Sequence, residues 1–175
     1  DVIDGAVVNN GTLALDANEV TGIITGTGVI TMADDYTVAA NITTATLTFA
    51  DGKTLLVGGN TITGDITNNG TVTLATGGDI TGTTTMALST DVLNLHDTAI
   101  GIVAGSGTIN SAQDLTTGAT ITGTNLNVTD NILTLGANVT ATTTTITAGA
   151  TLDAATGDDV IDGAVVNNGT LALDA

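Results

Sequence analysis

A five-residue strand returns nine times along this chain, and it restricts the fold more than any other feature. The copies are TLALD (12–16), VITMA (29–33), TLTFA (46–50), TVTLA (71–75), VLNLH (92–96), TINSA (108–112), ILTLG (132–136), TLDAA (151–155) and TLALD again (170–174). In most of them two apolar residues stand two apart, as in Leu13 and Leu15, Leu47 and Phe49, or Val72 and Leu74. That period puts the pair on one side of a strand and the residue between them on the other. The second residues of successive copies are separated by 17, 17, 25, 21, 16, 24, 19 and 19 residues. A unit of about 20 residues cannot bury its apolar side alone and must stack on its neighbours. The expected fold is all-β, a parallel β-solenoid (β-helix) of about 20 residues per coil. Its interior is expected to be one aliphatic column through Leu13, Ile30, Leu47, Val72, Leu93, Ile109, Leu133 and Leu152. An antiparallel β-sandwich also spaces its strands regularly, but it does not require the same pentapeptide in every unit.

Upstream of four copies the pattern is fuller: GAVVNNGTLAL (5–15), GIITGTGVITM (22–32), GDITNNGTVTL (64–74) and GIVAGSGTINS (101–111). Two glycines six apart flank a polar pair, and Gly and Asn accept the positive φ of a tight corner. A short strand, a corner and another short strand therefore recur. Asn9, Asn10, Asn68 and Asn69, at equivalent corners, are expected to form amide ladders between coils.

The chain also ends as it begins, since DVIDGAVVNNGTLALDA fills both 1–17 and 159–175, a period of 158 residues. On this reading 1–158 is one long repeat of eight coils and 159–175 is the first coil of the next. Matching ends leave two unpaired strand edges of matched outline, which are templates for pairing. Heterologous stacking of that kind does not close, so the expected partner is a second copy of the chain, end to end, in filaments.

Composition agrees with a thin stacked core: 42% of residues are hydrophobic, 23 are Gly, none is Pro, and the aromatics are Tyr36 and Phe49 alone. Lys53 is the one cation against 18 acids, for a net charge of −17. A chain without a basic patch cannot neutralise phosphates, so neither nucleic acid nor an anionic membrane surface is an expected partner. No apolar run approaches the 18 or so residues of a membrane span, and the first residues lack a signal-peptide pattern. Any export signal is expected outside this segment. Cysteine is absent, which removes disulfides and thiolate metal sites.

Few residues suggest chemistry. GDDVIDG (157–163) is similar to half a turn of calcium-binding nonapeptide repeats, so Ca²⁺ near Asp158, Asp159 and Asp162 is the one cofactor considered. Asp34 and Asp35 form a second acidic pair, read as solvated. Thr-x-Thr recurs at 46/48, 61/63, 71/73, 83/85 and 145/147, and a regular double column of threonines would mark an ice-binding face. His96, Ser89, Ser106 and Ser111 supply the inventory of a hydrolytic triad without meaningful spacing, and no catalytic residue is assigned. Asn10, Asn69 and Asn127 head N-x-Thr sequons, although Asn-Gly is first a turn signal.

The NNGTLAL and NNGTVTL coils, with Thr/Asn/Gly richness, no Cys, no Pro and strong acidity, resemble the repetitive passenger regions of bacterial autotransporters and filamentous-haemagglutinin-like surface adhesins. That resemblance implies a β-helical rod outside the cell. The expected function is a non-catalytic structural repeat of a long extracellular, bacterial surface fibre or adhesin stalk. A calcium-stiffened or ice-binding solenoid is the alternative.

Overall fold

Val, Ile and Leu alternating with Thr and Asn favour strands, and the Gly- and Asn-rich corners end each strand after a few residues. A computed structural model describes residues 2–17, 19–96, 101–154 and 159–173, and all regular structure among them is β. Every strand pairing is parallel, which makes the chain a parallel β-solenoid.

Each coil has three faces, named A, B and C. On face A, Leu13 is followed rung by rung by Ile30, Leu47, Ile66, Thr84, Val103, Ile121, Val139 and Ile161. Face B stacks Tyr36, Leu55, Val72, Leu93, Ile109, Leu126, Thr144 and Val165. Face C, which follows B within each coil, carries Val7, Ile24, Ile42, Ile62 and Ile80 in the early coils. In the late coils it carries Leu115, Leu133, Leu152 and Leu171. Eight steps along face A, from Leu13 to Ile161, span 148 residues, so a coil holds about 18 residues, fewer than the spacing of the pentapeptides suggests.

The single aliphatic column expected from the pentapeptides does not form. Leu13, Ile30 and Leu47 lie on face A, Val72, Leu93 and Ile109 on face B, and Leu133 and Leu152 on face C. The two longest intervals between copies, 25 and 24 residues, are the places where the motif moves to the next face. At each, the chain completes one coil and one further corner. The same arithmetic governs the duplicated ends. In the first copy Val7 is on face C and Leu13 on face A, whereas the equivalent Val165 is on face B and Leu171 on face C. The 158-residue period is thus eight coils and two faces, and the duplicate sits one face out of phase.

One six-residue corner serves all three positions, which makes this phase change possible. Asn9 follows face C, Asn68 follows face A and Asn167 follows face B, and in each the side-chain Oδ1 accepts the N–H of the glycine two residues on, at 3.1, 2.9 and 3.0 Å. The free end of the amide ties coils together: Asn9 Nδ2 donates to Val29 O at 3.0 Å and Asn68 Nδ2 to Val92 O at 2.9 Å, each in the coil above. Glycine completes the corner because coils approach closely there; a Cβ on Gly70 would stand 2.2 Å from Lys53 O below.

Inward residues of the interior coils are almost fully dry, with Ile30, Leu47, Leu55, Val72, Ile109 and Leu126 at 0–1% exposure. Tyr36 is the one buried phenol; its hydroxyl donates to Val20 O at 3.0 Å, and burial pushes its pKa up. Thr144 interrupts the apolar column of face B: it is 0% exposed, and its Oγ1 has no partner among the described residues. A buried hydroxyl without a partner costs about 1–3 kcal/mol. Thr144→Val is therefore expected to stabilise the fold by about 1 kcal/mol, raising Tm by roughly 2–4 °C. Thr145→Val, on the outward side of the same strand, is expected to give no comparable gain in the same melting experiment.

Candidate functional site

An uncharged surface runs along the outer side of face B. Its strands from Thr54–Val57 through Thr71–Leu74, Val92–Leu95 and Thr108–Ser111 to the second half of Val139–Ile146 carry no charged residue, in a chain of net charge −17. Outward pairs on successive rungs are Thr71/Thr73, Val92/Asn94, Thr108/Asn110, Asn125/Asn127 and Thr143/Thr145. Asn94 Nδ2 donates to Thr73 Oγ1 at 3.0 Å, Asn110 Nδ2 to Asn94 Oδ1 at 2.9 Å, and Asn127 Nδ2 to Asn110 Oδ1 at 2.9 Å. Beside this ladder, Asn125 Nδ2 donates to Thr108 Oγ1 at 3.3 Å.

The amide ladder expected at Asn9, Asn10, Asn68 and Asn69 thus runs instead through mid-strand residues. At the corners the amides reach backbone: Asn68 goes up to Val92 O, while Asn69 Nδ2 goes down to Phe49 O at 2.9 Å. Asn10 Oδ1 accepts the N–H of Thr27 from the coil above at 3.3 Å. The signal for the mid-strand ladder was the central Asn of VLNL and TINS, which becomes meaningful once both strands are known to share a face.

Acids lie away from face B's outer side, at corners and on the other two faces, where Asp65, Asp79, Asp153 and Asp162 stand within strands. Asp34 meets Lys53 at 2.5 Å, and Asp35 Oδ1 accepts the N–H of Thr54 at 2.7 Å, so this acidic pair clamps one coil to the next. The hydrogen bond to Asp34 raises the pKa of the exposed Lys53 ammonium. Asp158 lies outside the described residues. Asp162 is exposed on face A over Thr140, and Asp159 is half-buried with one carboxylate oxygen lacking a partner. No group of three His, Asp or Glu residues arranged to hold a metal occurs among the described residues. Ser111 lies inside face B, Ser106 at the corner leading into that face, Ser89 on an exposed turn, and His96 at the end of a face B strand.

The Thr-x-Thr pairs do not share a surface. Thr46/Thr48 and Thr83/Thr85 are on face A, Thr71/Thr73 on face B and Thr61/Thr63 on face C. Chemically, the best-organised surface offers amides and hydroxyls without a charge, suited to contact along its length. No helix among the described residues is long and apolar enough to cross a membrane. Comparisons with protein-family models, curated proteins and solved structures return no match.

Proposed function

We propose that the chain is a non-catalytic rod segment of a long bacterial surface fibre or adhesin stalk, acting outside the cell and able to stack end to end. The observation that supports this reading is the unbroken succession of rungs on face A from Leu13 to Ile161, closed around a dry aliphatic interior. Backbone hydrogen bonds then run along the rod, and length scales with the number of coils at about 4.8 Å each. The resemblance of the NNGT coils to adhesin passenger regions agrees with a role in reach, with ligand recognition carried elsewhere.

Association of two rods must overcome the repulsion of 17 net charges on each. Surface charges interact over a screening length of roughly 30 Å at 0.01 M salt and 3 Å at 1 M. Concentrated protein is therefore expected to form thin unbranched filaments as salt rises, visible by electron microscopy, with a meridional reflection near 4.8 Å. Strictly monomeric sedimentation at high concentration and high salt would overturn the end-to-end reading.

A further inference from the structure

We infer that a second copy of the chain docks on the C-terminal coil turned by one face, so that each residue of its first coil lies over its own duplicate. This rests on the end-to-end reading above. The last coil runs Ile161 on face A, Val165 on face B and Leu171 on face C, and the first coil runs Ile3, Val7 and Leu13. The corner lengths between these residues are identical because the sequences are identical.

Three rotations are available, and they are not equivalent. With the faces of both molecules aligned, Ile3 falls over Val165 and Val7 over Leu171, so a four-residue step meets a six-residue step. Leu13 would then sit two rungs above Ile161, leaving one rung of face A unfilled. Turning the second copy the other way leaves two rungs unfilled. Only the turn that puts Ile3 over Ile161, Val7 over Val165 and Leu13 over Leu171 continues all three faces without a gap.

A further feature of the last coil suits that partner. Asn167 already accepts the N–H of Gly169 through Oδ1. In the same corner Asn9 and Asn68 send Nδ2 to the carbonyl standing over the residue three positions on, Val29 over Thr12 and Val92 over Thr71. Over Thr170 the docked copy places Thr12, whose carbonyl thereby becomes the acceptor for Asn167. The cost is electrostatic, because Asp4 of the second copy stands one rung above Asp162, a repulsion that added salt screens.

Disulfide trapping separates the rotations. Thr12 and Thr170 are both exposed and lie about 40 Å apart within one molecule, but one rung apart across the docked pair, within disulfide reach. The double variant Thr12→Cys/Thr170→Cys is expected to oxidise at high salt into a covalent ladder of oligomers that reductant collapses. Asp4→Cys/Val166→Cys, which pairs only when faces are aligned, is expected to remain uncross-linked while sedimenting as an assembly. A ladder from the second variant and not the first would overturn the rotation and leave end-to-end stacking standing. Assemblies cross-linked in neither variant would also overturn the rotation. A wild-type chain that never assembles overturns both.

Discussion

Asn68→Leu is expected to destabilise the rod by roughly 2–4 kcal/mol, because it leaves the buried Gly70 N–H without its acceptor, at about 1–3 kcal/mol, and removes one inter-coil bond to Val92 O, at about 1 kcal/mol. Asn68 is 0% exposed; its Oδ1 serves Gly70 N–H in its own corner and its Nδ2 serves Val92 O in the next coil. Leucine fills the volume and serves neither. Asn68→Asp retains the acceptor and loses the donor, so comparing the two variants by urea denaturation assigns the cost to the corner or to the inter-coil bond. Asn69→Ala is the control: Asn69 is half-buried and makes one bond, down to Phe49 O, so a cost of about 1 kcal/mol is expected. If Asn68→Leu unfolded at the same urea concentration as the wild type, the inter-coil amide would be irrelevant to stability.

The second large effect is expected at Leu126, which stands at 0% exposure between Ile109 and Thr144 on face B. Leu126→Ala removes buried methyls and leaves a cavity, at a cost of about 2–5 kcal/mol. Where that cost appears is the sharper expectation. Coils touch only their neighbours, so stability is a sum of local terms along the axis. Hydrogen exchange is expected to accelerate in the strands Ile121–Val128 and Val139–Ile146 while Ile42–Phe49 and Thr54–Val57 keep their protection. Uniform loss of protection from end to end would mean that the rod unfolds as one cooperative body and that the neighbour-only description fails.

The duplicated seventeen residues are a case of one sequence in two structural settings. Leu13 packs on face A and its copy Leu171 on face C, yet each lies inward on its strand and follows the same Asn-x-Gly corner. A corner that works on any face frees the long repeat from containing a whole number of coils. In a tandem array, successive repeats would therefore present the same outward side chains on each face in turn.

The local pattern was legible from the sequence alone. Alternation in TLAL, VITM and TLTF selects strands, Gly and Asn mark corners, and a recurring unit too small to bury its own apolar side demands stacking. Those signals are local, and they settled the parallel solenoid. Face assignment was not legible, because the three corners use the same residues and no strand carries a mark of its face. Val72 and Leu47 look equivalent in sequence but lie on faces B and A, and only a running count of corners separates them. The ladder through Asn94, Asn110 and Asn127, and the uncharged strip it lies in, depend on that count. They belong to the tertiary structure because a residue's neighbours in a solenoid are set by the total length of the coil between them, which no single strand encodes.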